Sequence, residues 1–258
     1  MANILALETA TDALSVSLNY DDNLYRFHKI SPRQHTDKLL AVINDIMEEA
    51  RADYKDLDAI GVDIGPGSYT GIRLGCSVGQ GIAYAHKLPT IHATSLDILV
   101  KGGWGKPQIN LADGPKLKKT KKNREYPGFH KIIPLFEKTK DCLYVGIYSY
   151  IGDSLIEKRY EVVNADQWLH FYHNDIHENH VKHFDVNFVG KLDLDDGIWM
   201  MASFDVTSFS EKLKIGTYPD SQTLQEICQE KYSRGEFSTP ESLVPLYLDK
   251  KNSWQKIK

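Results

Sequence analysis

A chain of 258 residues, 41% of them hydrophobic, can bury one large core or two smaller ones, and a formal charge of -4 gives the whole molecule no electrostatic reason to sit on nucleic acid. Its three cysteines, Cys76, Cys142 and Cys228, are too few and too far apart for a disulfide framework or a zinc site of paired short spacings, so they read as reduced and buried. The opening MANILALETATD lacks a basic leader, its apolar run breaks at Glu8, and no stretch approaches the ~20 apolar residues of a membrane span, so a cytoplasmic protein is expected.

Short apolar runs at Ile4–Leu7, Leu14–Tyr20 and Leu24–Ile30, separated by turn residues at 9–12 and 21–23, predict a three-stranded meander. From His35 to Ala50 the residues Leu39, Leu40, Ile43, Ile46, Met47 and Ala50 recur at three and four, which predicts a helix with one apolar face. A strand at Asp58–Ile64, a helix from about Gly71, a strand at Thr90–Ala93 and a helix from about Ser95 complete the first half. The order predicts a mixed α/β layer fold. After Val100 the Gly-, Pro- and Lys-rich stretch 101–128 shows no period and reads as an exposed loop. Strands at Lys131–Phe136, Cys142–Ile151 and near Ile156–Val163 follow, and a last helix at about Ser221–Ser233 leads into the tail YLDKKNSWQKIK.

The segment Gly65-Pro66-Gly67-Ser68-Tyr69-Thr70-Gly71 follows a strand and opens a helix. Glycine allows positive φ and close backbone approach, Ser68 or Thr70 can cap the helix, and free N–H groups at a helix start attract anions. Gly65, Gly67, Ser68 and Thr70 are therefore a candidate anion-binding turn, with a purely structural turn as the alternative. It lacks the Gly-Lys-Ser/Thr ending of a P-loop. Along the helix, Gly71, Gly75, Gly79 and Ala83 form a ridge without bulky side chains, at about 1 kcal/mol lost per glycine relative to alanine. A packing partner must offset that loss. It is either the protein's own sheet or a second protein.

The stretches ILALETAT, PRQHTDKLL, GPGSYTGIRLG and QGIAYAHKLPTIHATSLD, and the carboxy-terminal PLYLDKKNSWQK, resemble the TsaB (YeaZ) family in order and spacing over residues 3–99 and 243–256. The resemblance implies an α/β fold of two actin-like (ribonuclease H-like) lobes, each a mixed sheet flanked by helices. It places a first lobe at 1–103, a second at 104–219 with a lysine-rich insertion near 104–128, and a C-terminal helix and tail at 220–258 that pack back on the first lobe. It also implies a non-catalytic scaffold, without a cofactor, in the synthesis of threonylcarbamoyladenosine in tRNA. The expected partners are the catalytic paralogue TsaD and the ATPase TsaE, with a homodimer when the chain is alone. Pairing with TsaD is expected through the helices spanning about 36–50 and 71–85, with Leu39, Ile43, Met47, Gly71, Arg73, Gly75, Gly79 and Ala83 at the interface. On that reading Gly75→Leu abolishes pairing and leaves the monomer folded.

Two enzymatic alternatives compete, an actin-like ATPase or phosphotransferase with an atypical loop and a glycoprotease-like metallohydrolase. Against the first, neither candidate phosphate hairpin, 8–12 or 136–142, contains glycine, so side chains hinder close approach of phosphate to backbone. Against the second, the resemblance sets the paralogue's metal-binding His-x-x-x-His pair at Ser95 and Leu99, which cannot replace imidazoles. Ser68 lacks the second glycine of a nucleophile elbow and has no evident base. His170, His173, His177, His180 and His183 would share a broad helical face able to bind zinc, nickel or copper, but a solvated face is the plainer reading and Val181 breaks HExxH. No metal and no catalytic residue is assigned.

Lys116–Arg124 holds six positive charges in nine residues, enough for a weak or indirect tRNA contact, though a solvated charge run is the simpler alternative. Trp254, among the lysines of the tail, suits an interface edge.

Overall fold

The computed structural model describes residues 1–104, 129–139, 142–151, 154–164, 185–191, 213–215 and 218–248. The chain divides into two compact units, Met1–Lys101 together with the segment from Tyr218, and Gly102–Thr217.

The first unit is a five-stranded sheet ordered β3-β2-β1-β4-β5, from β1 (Ile4–Glu8), β2 (Ala13–Tyr20), β3 (Asn23–Ile30), β4 (Ala59–Asp63) and β5 (Thr90–Ala93). β1, β2 and β3 pair antiparallel, while β1, β4 and β5 run parallel. Helices α1 (His35–Ala50), α2 (Tyr69–His86), α3 (Ser95–Trp104) and α4 (Ser221–Ser233) complete the unit. Strand periodicity sorts the layers. Leu5, Leu7, Val16, Leu18, Ile60 and Val62 face one way and share a core with Leu39, Ile43, Ile46 and Met47 of α1 and with Cys76 and Ala83 of α2. Ile4, Ala6 and Ala59 face the other way and pack with Ile98 of α3 and with Leu224 and Cys228 of α4. Each of the buried Leu, Ile, Val and Met side chains among these contributes roughly 1.5–3 kcal/mol of transfer free energy.

On β2 the second face is polar. Ser15 Oγ donates to Ser221 Oγ at 2.8 Å, Ser17 Oγ donates to the Ser221 carbonyl at 2.8 Å, and Gln225 Nε2 donates to the Ile4 carbonyl at 3.1 Å. α4 thus both covers this face and satisfies it, which is what burial of hydroxyl and amide groups requires.

The second unit has β6 (Phe129–Thr139), β7 (Cys142–Ile151), β8 (Ser154–Asn164), β9 (Asp185–Lys191) and β10 (Leu213–Ile215) in the order β10-β9-β6-β7-β8. β6, β7 and β8 form an antiparallel meander, and β6, β9 and β10 run parallel. Read from its other edge, this is the topology of the first sheet, strand for strand. The two-sheet α/β fold expected from the sequence is present, and β9 and β10 are additions to the predicted strands.

Candidate functional site

The glycine turn packs on the loop that leaves β1. The Ser68 amide donates to the Ala10 carbonyl at 2.7 Å, and Thr9 Oγ1 donates to the Gly71 carbonyl at 2.8 Å. A Cβ at Gly67 would stand 2.2 Å from the Ala10 carbonyl oxygen, and one at Gly71 would stand 2.0 Å from that of Thr9. The close approach that these glycines permit is therefore made by the protein's own backbone. Gly65 has φ +98° and passes its carbonyl to the Ser95 amide at 3.0 Å. Ser68, not Thr70, caps α2, accepting from the Gly71 amide at 3.3 Å. Of the two readings left open for Gly65, Gly67, Ser68 and Thr70, these bonds favour the structural turn, because Ser68 N–H and Gly71 N–H already have protein partners.

The ridge continues inward. A Cβ at Gly75 would meet Thr9 Oγ1 at 2.5 Å, and one at Gly79 would meet a Val62 methyl at 2.6 Å. Ala83 is fully buried, as is Leu39, while Ile43 and Met47 are buried in the same core. Leu39, Ile43, Met47, Gly71, Gly75, Gly79 and Ala83, expected at an interface, are packed within the sheet and helices of their own unit. Gly75→Leu would unseat α2 from β1 and β4, so an intact monomer is no longer expected of it. Arg73 does point outward. Trp254, the Lys116–Arg124 run and the His170–His183 cluster lie outside the described residues.

Two carboxyl groups end neighbouring central strands. Leu7 pairs with Val62, and Glu8 and Asp63 follow one residue on, both fully buried. Glu8 Oε1 accepts from the Ala10 amide at 2.7 Å, while among the described residues Oε2 has no partner. Asp63 Oδ1 accepts from the Gly65 amide at 2.8 Å, and Ser95 Oγ lies 2.9 and 2.7 Å from the two Asp63 oxygens. Burial pushes Asp63 up to about 7, and burial first and the Asp63 charge second hold Glu8 well above the usual carboxylate range. Ser95 and Leu99, where the paralogue's histidines would fall, are both buried in the unit, and a hydroxyl and an isobutyl group do not fit a divalent cation.

The outer surface of the same helix carries an aromatic and cationic cluster that the sequence did not reveal. The Arg73 guanidinium lies 3.6 Å from the centre of the Tyr69 ring, and its Nε donates to Tyr247 Oη at 2.5 Å. Tyr247 is held there because the Leu246 amide donates to the Ile64 carbonyl at 2.8 Å and Leu243 is buried beside Gly79. The glycine turn and the segment PLYL at 245–248 thus meet. Further along, Leu40 and Tyr84 are 63% and 69% exposed, and Gly81 has nothing within 4 Å of a built Cβ. Among the described residues no helix is long and apolar enough to cross a membrane.

Residues 28–154 match the family model described as TsaD, tRNA N6-adenosine threonylcarbamoyltransferase. Among curated relatives, the tRNA threonylcarbamoyladenosine biosynthesis protein TsaB of Escherichia coli is 37% identical over 103 residues, covering 40% of this chain and 45% of that protein. The TsaB of Haemophilus influenzae is 33% identical over 39% of this chain and 43% of its own length. The chain therefore spans under half the length of these two relatives. Among solved structures, YeaZ from Pseudomonas aeruginosa is matched along 96% of this chain and 100% of its own, with a TM-score of 0.68 at 22% identity, a likeness of fold. The chain is thus similar to the TsaB (YeaZ) proteins in sequence over part of its length and shares the fold of YeaZ along nearly all of it.

Proposed function

We propose that this chain is a non-catalytic subunit in the synthesis of threonylcarbamoyladenosine in tRNA, pairing with a TsaD-type transferase and supporting its reaction. The observation that carries the reading is the filled glycine turn: its close-approach faces are occupied by Thr9 and Ala10, and the hydroxyl of Ser95 is engaged inside the unit. The names of the TsaB relatives, biosynthesis proteins of this modified nucleoside, support the process. The pairing surface is the outward side of α1 and α2, with Leu40, Arg73, Ser77, Gly81 and Tyr84 exposed along it. Small residues there let a partner helix come close, and Tyr84 and Leu40 supply apolar area to bury. The same surface pairs two copies when the transferase is absent. TsaE joins through the assembled pair, and tRNA is reached chiefly through the partner.

The test is co-purification with the TsaD-type transferase of the same cell, followed by a tRNA threonylcarbamoylation assay that omits each protein in turn. A stable pair, activity that needs both proteins and loss of pairing in a folded Tyr84→Asp variant are expected. Modification of tRNA or ATP hydrolysis by this chain alone would overturn the reading.

A further inference from the structure

The Ser95 hydroxyl has one hydrogen and three acceptors within reach. It lies 2.9 Å from Asp63 Oδ1, 2.7 Å from Asp63 Oδ2 and 2.8 Å from the Pro66 carbonyl oxygen. A carbonyl oxygen can only accept, so a bond to Pro66 must use the hydroxyl hydrogen. The contact with Asp63 then needs a hydrogen from the carboxyl side. Asp63 can carry it: the group is wholly buried and held up to about 7 by that burial. With the proton on Oδ2, every contact is satisfied, Gly65 N–H to Oδ1, Oδ2–H to Ser95 Oγ, and Ser95 Oγ–H to the Pro66 carbonyl.

We propose that Asp63 is a proton-dependent latch on the glycine turn: as an acid it donates to Ser95, which ties down Pro66, and as a carboxylate it takes the Ser95 hydrogen and unties Pro66. No proton is lost inside the relay. The Asp63 proton leaves to solvent, the Ser95 hydrogen turns to the carboxylate, and the Pro66 carbonyl is left buried without that donor, a cost typical of an unmade buried hydrogen bond. The loosened turn carries the Ser68 cap of α2 and, beside it, the Tyr69–Arg73–Tyr247 surface.

The surroundings bias the latch toward its closed form. Burial outweighs the Gly65 amide and the Ser95 hydroxyl, whose hydrogen bonds favour the carboxylate, and the charged or titratable groups acting on the carboxyl pair are acidic or neutral: Glu8 on β1, Asp97 on α3, Asp220 at the start of α4 and the buried Cys76 thiol on α2. Among these there is no cation to favour the carboxylate.

The sign follows. In the opened turn Asp63 returns to an ordinary carboxylic acid, while in the closed turn it keeps its proton up to about pH 7. Opening therefore releases a proton between these values, and the opening equilibrium rises by about tenfold per pH unit across that window and levels off above it.

The experiment is amide hydrogen exchange of the full chain from pH 5 to 8, corrected for intrinsic rates, read at Gly65, Ser68 and Gly71. Protection in the unmodified protein falls across the window, and Asp63→Asn, whose amide donates permanently to Ser95, removes the slope. Constant protection in the unmodified protein, or a slope that survives in Asp63→Asn, would overturn the latch. Should Asp63→Asn not fold, an infrared titration of the unmodified protein labelled with ¹³C at aspartate carboxyls decides. A buried protonated aspartate that titrates near neutrality supports the proposal, and its absence at pH 6 refutes it.

Discussion

Gly71 and Gly81 belong to one helix and carry opposite consequences for the same substitution. At Gly71 a methyl group would collide with the Thr9 carbonyl, a backbone atom fixed by β1, so neither partner can yield cheaply. At Gly81 a methyl group enters open space, and the only effect is the recovered helix propensity. Gly71→Ala should destabilise the protein by about 3 kcal/mol, and Gly81→Ala should stabilise it by about 0.5–1 kcal/mol. Urea midpoints of the two variants measure both. If the two shifts had the same sign, the inward and outward assignment of the ridge would be wrong. The buried pair shows a related asymmetry: Glu8 Oε2 has no partner among the described residues, so Glu8 is a cost that the fold carries.

At the scale of elements, helices and long strands were legible because side-chain period writes them directly. The predicted helix His35–Ala50 and the strand Thr90–Ala93 coincide with α1 and β5. What the period could not give was the direction of the glycine ridge, since glycine adds nothing to an amphipathic pattern, although Ile72, Cys76 and Ala83 share its side and are buried with it. β10 has three residues, too few to show alternation, and the burial of the β2 serines has no local signal because their cover, α4, lies about 200 residues away. The carboxyl pair was half legible, with Glu8 read as a loop residue and Asp63 passed over at the end of an apolar strand. α4 begins with Asp220, whose side chain accepts from the Thr223 amide at 2.9 Å. Its negative charge suits a helix start but also raises the cost of ionising Glu8. Asp220→Ala should therefore cost about 1 kcal/mol by loss of the cap, whereas Asp220→Asn, which keeps an acceptor and removes the charge, should stay within about 0.5 kcal/mol of the parent. A loss of equal size in both, in thermal unfolding near pH 7, would mean that charge and not the cap bond is what α4 needs.

For the molecule as a whole, the first unit is built from two pieces of chain that flank the second. The Met1–Lys101 piece alone leaves Ile4, Ala6 and Ala59 without Leu224 and Cys228, and leaves the β2 serines without Ser221. Those serines would then face water in place of α4, and the neighbouring apolar positions Ile4, Ala6 and Ala59 would lose their cover. The segment from Tyr218 is accordingly part of the core. Gly102–Thr217, by contrast, has its own sheet with the same strand order. Lys101 at the end of the first piece is ion-paired with Glu230 near the end of α4, so a replacement connection must run back along α4 to reach Tyr218. That helix is 13 residues long, roughly 20 Å, a span that a flexible linker of about 15 residues matches. A chain of residues 1–101, such a linker and residues 218–258 should fold with one sharp thermal transition, while residues 1–101 alone should not. A broad, non-cooperative melt of the linked chain would show that the first unit depends on the second for its stability, and the repeated topology would then describe two halves of a single cooperative body.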